Sequence, residues 1–133
     1  MGPGPWDNSE VKELFFTIPG KPVTWKRVNL WRGRLLEPKE QRQKKREIAS
    51  LAMAAMMEQG WKRTGLPVEA SCQFFGCHGG ADLSNLIKLV EDALNRVVWE
   101  DDQQIYSFGN SAKFPRVEPQ RTEVRIRFWT HDA

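Results

Sequence analysis

The segment from Asp82 to Asp102 constrains the fold of this chain most strongly, because it places an acidic cluster at each end of one amphipathic helix. Its apolar residues fall at helical spacing and form one stripe: Leu86, Leu89, Val90, Ala93 and Leu94. Asp82 or Ser84 is predicted to cap this helix, which runs to about Val97. A helix of about 14 residues is some 20 Å long. The two acidic clusters therefore cannot meet along the helix itself.

The chain after Trp99 must turn back if Asp82 and Asp102 are to share one site. We expect it to return as a strand beside the strand that precedes the helix, so that both carboxylates reach one cleft. Mg²⁺ prefers oxygen ligands and commonly takes one or two carboxylates from a protein. Lys88 would then stabilise charge on a phosphate or orient the attacking water. Taken singly, these residues are better explained as a helix cap, a surface turn and a salt-bridge partner of Asp92. Taken together, they leave both interpretations open.

The distribution of charge indicates a polyanionic ligand. The formal net charge of the 133 residues is only +3, but residues 21–46 contain ten Lys or Arg and two Glu, a local charge of +8. Residues 82–102 contain six Asp or Glu and two basic residues, a local charge of −4. Such asymmetry favours one surface for phosphates and another for cations. The alternative is that the basic residues simply solvate an exposed helix face.

The order of predicted elements indicates an α+β protein. Residues 1–10 are rich in Gly and Pro and are expected to form a flexible lead-in, and residues 11–133 form one domain. The elements predict the order β-β-α-β-α-β-β, with a small mixed sheet that carries two main helices on one face. They are a strand from Glu13 to Ile18, a hairpin with its tip at Arg32-Gly33-Arg34, a helix from Pro38 to about Gln59, a strand over 67–75, the helix after Asp82, and strands near 104–108 and 124–128.

The cysteines and the hydropathy suggest an intracellular protein. Cys72 and Cys77 lie five residues apart in and after a predicted strand, so their side chains point to opposite faces and a disulfide is not expected. We expect buried or half-buried free thiols, as in a reducing compartment. No apolar run approaches the roughly 20 residues that span a bilayer. The first residues lack the basic-then-apolar pattern of a secretory signal.

Three motifs resemble the RusA-type Holliday junction resolvases. The hallmark of that family is Asp-x-Asp-Asn-x-x-Lys, then Asp-Ala-Leu, then a paired Asp-Asp followed by an apolar residue. Here residues 82–88 read Asp-Leu-Ser-Asn-Leu-Ile-Lys, residues 92–94 read Asp-Ala-Leu, and residues 101–105 read Asp-Asp-Gln-Gln-Ile. Residues 16–27 also resemble the family's first strand and basic hairpin, and a lysine like Lys113 precedes a late strand. The resemblance covers roughly residues 14–128.

The resemblance implies a small homodimeric endonuclease that uses Mg²⁺ or Mn²⁺. Such enzymes bind four-way DNA junctions and nick two opposing strands symmetrically, and they are bacterial or phage-encoded proteins that act in the cytoplasm, at the nucleoid. By position, Asp82 matches the first catalytic aspartate and Asp102 the last, and both are expected to bind the metal. Asp101 is a further candidate ligand. Lys88 matches the family's essential lysine.

The basic residues are expected to hold the duplex arms through phosphate contacts, which supply affinity that falls steeply with salt. The candidates are Lys26, Arg27, Arg32, Arg34, Lys44, Lys45, Arg46 and Lys113. Three aromatic residues, Trp31, Phe74 and Phe75, either stack on unpaired bases at a junction or belong to the core.

Ser84 departs from the family pattern, because it stands where the second aspartate of Asp-x-Asp falls. A hydroxyl is a weaker ligand than a carboxylate and carries no charge. If the family tolerates serine here, Asp101 or water completes the metal shell and the chain is an active resolvase. Otherwise it is a weak or inactive junction-binding protein. A nuclease for other branched DNA is a further alternative.

Overall fold

The computed structural model describes residues 12–130, which form an α+β fold with a mixed sheet and two helices. The predicted lead-in at residues 1–10 lies outside the described residues. A short 3₁₀ turn, Asp102–Gln104, follows the second helix. The elements are β1 (Glu13–Pro19), β2 (Asn29–Trp31), β3 (Arg34–Leu36), α1 (Lys39–Gln59), β4 (Val68–Phe75), α2 (Leu83–Leu94), β5 (Ile105–Ser107), β6 (Ala112–Phe114) and β7 (Arg121–Phe128).

The main sheet runs in the order β1, β7, β4, and both β5 and β6 pair with the far edge of β4. β7 is antiparallel to β1 and to β4, whereas β5 and β6 are parallel to β4. Phe16 pairs with Val124 and Val124 with Cys72, so these three side chains share one face of the sheet. Because every second residue of β1, β4 and β7 is buried, that face carries the core.

Both helices contribute to the core on this face of the sheet. Pro38 precedes α1 and Gly60 ends it in a left-handed conformation with φ of 76°, as the sequence predicts. α1 packs on β1 and on α2. The five residues of the predicted α2 stripe are all buried in the structure. Helices on one face of a mixed sheet are therefore confirmed for the described chain.

The structure differs from the sequence prediction at three places. α2 ends at Leu94 rather than near Val97, because Arg96 takes a left-handed φ of 66° and reverses the chain. The basic hairpin forms with its turn at Arg32 and Gly33, as predicted, but its strands β2 and β3 pair with each other and not with the main sheet. β6 was not predicted. These short strands carry little periodic signal, since each has only three residues.

The two cysteines are free and buried, as predicted. Burial raises the pKa of the Cys72 thiol to about 12, so the thiolate is not formed at neutral pH. In the described part of the chain, neither helix combines the length and the apolar character that a membrane crossing requires.

Candidate active site

Asp82 is the N-cap of α2, and Ser84 supports it. The Oδ1 atom of Asp82 accepts hydrogen bonds from the Ser84 hydroxyl at 2.6 Å, from the Ser84 backbone N–H at 2.9 Å and from the Asn85 N–H at 3.4 Å. The Ser84 hydroxyl first, and then these backbone donors, hold the pKa of Asp82 below its usual range. Asp82 is thus an exposed, ionised carboxylate whose orientation Ser84 helps to fix.

Lys113 closes the loop that leads into α2. Its Nζ atom donates to the carbonyl oxygens of Gly79 at 2.9 Å and Ala81 at 2.7 Å. Its charge also contributes to the low pKa of Asp82. Lys113 lies in β6, next to the carboxyl end of β4, so the sheet positions the residue that orders this loop. The structure gives Lys113 a role in holding the loop, and its predicted contact with DNA stays a prediction.

Lys88 lies one turn beyond Ser84 on the exposed side of α2. Its ammonium group sits 4.7 Å from the centroid of the Trp25 ring, a distance at which cation–π attraction holds it. The backbone N–H of Trp25 donates to the carbonyl of Asn85 at 3.0 Å. The segment that leads to the β2–β3 hairpin is therefore anchored to the first half of α2, beside Lys88.

The second half of α2 carries a pair of carboxyl groups in contact. The carboxyl groups of Glu91 and Asp102 are neighbours, and the Oδ1 atom of Asp102 accepts from the indole N–H of buried Trp99 at 2.9 Å. Burial first, and then the charges of Asp102 and Asp92, raise the pKa of Glu91 to about 7, against the attraction of Lys88. Two carboxyls this close favour either a shared proton or a bound cation between them.

The structure does not bring Asp82 and Asp102 together within one chain. The chain after Trp99 does return beside β4, as predicted, but β5 pairs with Val68 and Glu69 at the beginning of that strand. Asp82 follows the end of β4. Asp102 contacts Glu91, which is nine residues after Asp82 and about 13 Å further along the helix axis. The described residues contain no group of three or more His, Cys, Asp or Glu that could hold a metal.

Asp101 caps the 3₁₀ turn that precedes β5. Its side chain accepts from the backbone N–H of Gln103 at 2.8 Å, and its own N–H donates to the Gln104 side chain at 2.7 Å. The bond to Gln104 is half of a capping box between Asp101 and Gln104, which fixes the turn and with it the position of Asp102.

The family profile described as Endodeoxyribonuclease RusA matches residues 19–127, which is most of the chain. The chain belongs to the RusA endodeoxyribonuclease family. The resemblance drawn from the motifs at residues 82–105 is thereby confirmed, and so is membership of a family of DNA-cleaving enzymes. A comparison with curated proteins gives no match.

The basic residues that a RusA nuclease would turn toward DNA fall into two groups. The first group lies in the β2–β3 hairpin and just before it, and all of its members are exposed: Lys26, Arg27, Arg32 and Arg34. In the second group, on α1, Lys44 pairs with Glu47 and donates to the carbonyl of Pro19, and Lys45 pairs with Glu37. Arg46 is exposed. The hairpin cations are therefore the better candidates for phosphate contacts, while Lys44 and Lys45 also hold the fold.

An open cleft of about 370 Å³ lies beside the loop that leads into α2. Its walls are the segment after β1, the first turn of α1 and the loop before Asp82. Lys21, Lys26 and His78 line it, and Ala81 next to Asp82 forms part of its wall. The Nδ1 atom of His78 accepts from the N–H of Gly80 at 3.0 Å, which leaves Nε2 as the donor in a neutral ring.

Sequence reasoning missed Glu91, although its spacing carried a signal. Ser84, Lys88 and Glu91 are separated by four and three residues and therefore lie on one face of α2. Glu91 places a carboxylate seven residues after the position where the family aspartate is absent. The contact with Asp102 could not be read from this spacing, because it depends on the chain reversal at Arg96.

The raised pKa of Glu91 predicts that the metal-free protein loses stability as pH rises. Between its ordinary value of 4.5 and about 7, the folded chain binds more protons at Glu91 than the unfolded chain does. The free energy of unfolding should therefore fall through this window and level off above it. Urea unfolding in EDTA at about pH 5 and about pH 8 measures the difference. Glu91→Gln should flatten the profile, and an equal slope in that variant would contradict the assignment.

Proposed function

We propose that this chain is a divalent-metal-dependent endonuclease that resolves Holliday junctions by paired, symmetric nicks. Family membership gives DNA cleavage. The observation that supports the metal-dependent mechanism is the contact between Glu91 and Asp102, next to Lys88, on a chain whose hairpin is strongly basic. Two symmetric nicks require two sites, and a dimer with twofold symmetry supplies them most simply.

The residues at this end of α2 fit a hard divalent cation. Mg²⁺ keeps several waters and commonly takes one or two carboxylates, which Glu91 and Asp102 provide. One turn beyond Glu91, the Oδ1 atom of Asn95 is buried without a hydrogen-bond partner in the described part of the chain. We propose Glu91 and Asp102 as the ligands of this cation. Asp82 lies about 13 Å away at the other end of α2, so we propose it as a ligand of a separate cation.

The chain's own residues would orient the scissile phosphate. A bound cation would neutralise charge at the phosphate and activate water. Trp99 fixes Asp102 through its indole N–H, so the carboxylate does not reorganise when the phosphate arrives. Lys88, held by the Trp25 ring, places a positive charge between Ser84 and Glu91, where it stabilises the charge that develops on the phosphate oxygens.

Cleavage of a synthetic four-way junction tests this function. The junction and a matched linear duplex are each incubated with the protein in Mg²⁺, in Mn²⁺ and in EDTA. We expect paired nicks at symmetric positions in the junction alone, and only with a cation. Cuts in linear duplex or in simple flaps would favour another branched-DNA nuclease, and tight junction binding without cuts would favour the binding protein.

Substitution of Ser84 distinguishes an active resolvase from a defective one. Ser84→Ala removes the hydroxyl that orients Asp82, and loss of such a partner of a metal ligand costs about 10- to 100-fold in activity. Ser84→Asp restores the family carboxylate at the start of α2, where negative charge is favoured, and should equal or exceed wild-type cleavage. Initial rates on the junction measure both. A folded but inactive Ser84→Asp protein would contradict the proposed ligand position.

A further inference from the structure

We infer that the β2–β3 hairpin is a base-stacking arm, in which Trp31 stacks on a nucleobase at the branch point of the DNA. This inference rests on the proposed function for its substrate. It goes beyond that function in assigning the recognition of the branch to one aromatic side chain outside the acidic site.

The hairpin projects from the domain. All six residues of β2 and β3 are exposed, and within the described chain these strands pair only with each other. Trp31 is 55% exposed, whereas the other aromatic candidates are packed: Phe74 is 1% exposed and Phe75 stacks on Phe114. Trp31 is thus the candidate whose ring is open to a partner.

The tip of the hairpin presents this ring together with positive charge. Arg32 and Gly33 both have positive φ, of 49° and 77°, which is the geometry of a two-residue hairpin turn. The guanidinium of Arg32 lies 4.5 Å from the centroid of the Trp31 ring, and Arg34 is the cross-strand partner of Trp31. An aromatic ring flanked by guanidinium groups is suited to a base and its phosphates.

Charge favours DNA over a second copy of this chain as the occupant. Residues 21–36 contain five Lys or Arg and no Asp or Glu. A surface of this kind attracts a polyanion and disfavours a second basic copy of the same segment. The apolar pair Leu30 and Leu35 lies on the opposite side of the hairpin from Trp31, since the two positions alternate along the strands.

The base of the hairpin fixes its position relative to the acidic site. The N–H of Trp25 donates to Asn85 on α2, and the N–H of Lys26 donates to the buried side chain of Gln41 on α1 at 2.6 Å. Lys88 rests on the Trp25 ring. The segment that leads into the hairpin is therefore anchored beside Lys88, one of the residues proposed to act on the phosphate.

The test uses 2-aminopurine, a fluorescent base whose emission is quenched when it stacks, placed at the crossover of a four-way junction in EDTA. Wild-type protein should quench this base and leave a 2-aminopurine in linear duplex unchanged. Trp31→Ala should abolish the quench and weaken junction binding about 10- to 100-fold, as the loss of one stacked base implies. Trp31→Phe should restore part of both. Leu35→Ala, a change at an even more exposed residue on the other side of the hairpin, should leave both unchanged.

Sedimentation equilibrium of each variant shows whether the hairpin surface instead contacts a second copy of the chain. Wild-type affinity and quenching in Trp31→Ala would overturn the inference, and so would a wild-type protein that causes no quench. Dissociation of a wild-type dimer by Trp31→Ala would assign the surface to a subunit contact instead. Nicking in Mg²⁺, measured separately, reports on the proposed function: stacking without nicks would defeat that function alone, and nicks without stacking would defeat the arm alone.

Discussion

Asp102→Asn should abolish junction cleavage, with a loss of about 10³-fold or more, while junction binding stays near the wild-type level. The amide keeps the shape of the side chain and can still accept the hydrogen bond from Trp99. It removes the charge that would hold a divalent cation, and several kcal/mol of transition-state stabilisation correspond to about three powers of ten in rate. Single-turnover cleavage and a gel-shift titration in EDTA separate the two effects.

Three matched substitutions show which acidic residues junction cleavage depends on. Asp82→Asn should also abolish cleavage if both ends of α2 serve the reaction. Glu91→Gln should lower activity and the affinity for Mn²⁺, measured by calorimetry without DNA, if it shares the cation with Asp102. Glu58→Gln changes an exposed acid at the end of α1 and should do neither. Wild-type turnover in Asp102→Asn would remove the metal assignment.

Mapping with Fe²⁺ shows which end of α2 holds the cation. Fe²⁺ with ascorbate and peroxide cuts a polypeptide near the place where the ion binds, so the fragments report position without any DNA. Cuts near residues 91 and 102 are expected from the contact of Glu91 with Asp102. Cuts near Asp82 alone would move the site to the start of α2. Asp102→Asn should suppress the cuts near residues 91 and 102 and leave any cuts near Asp82 unaffected.

Local sequence signals were sufficient for the helices and for the sheet core. Pro38 and Gly60 mark the ends of α1 because one fits only the first turn and the other supplies the left-handed C-cap. The α2 stripe was predicted residue by residue, since five apolar positions at helical spacing leave one way to bury them. The motif at residues 82–105 then gave the family.

The arrangement of the acidic residues could not be predicted, because it depends on where distant segments pair. A return strand after Trp99 was expected, but its register on β4 decides which end of α2 Asp102 reaches. Nothing local in residues 102–107 specifies that β5 pairs with Val68 rather than with Phe75. Glu91 was overlooked for the same reason, since the neighbour of this half-buried helical glutamate is decided only by this register.

Trp99→Ala should destabilise the fold more than any other single truncation in the site. Trp99 is fully buried and is the largest of the fully buried side chains in the described chain. Replacing a buried Trp by Ala typically costs about 3–5 kcal/mol, from lost burial and from the cavity that remains. This is a large share of the roughly 5–15 kcal/mol that stabilises a typical domain. Urea unfolding in EDTA measures the loss in the free energy of unfolding and excludes any contribution from a bound cation.

Trp99→Phe separates the packing role of Trp99 from its contact with Asp102. Phenylalanine keeps most of the buried aromatic surface but has no N–H to donate, so Asp102 loses the donor that now lies 2.9 Å away. The stability loss should be clearly smaller than in Trp99→Ala, whereas cleavage should fall about 10- to 100-fold, as for other groups that orient a metal ligand. Unchanged cleavage in a folded Trp99→Phe protein would mean that the indole only fills the core. A decrease in rate at near wild-type stability would mean that the core of the domain holds the candidate ligand in place.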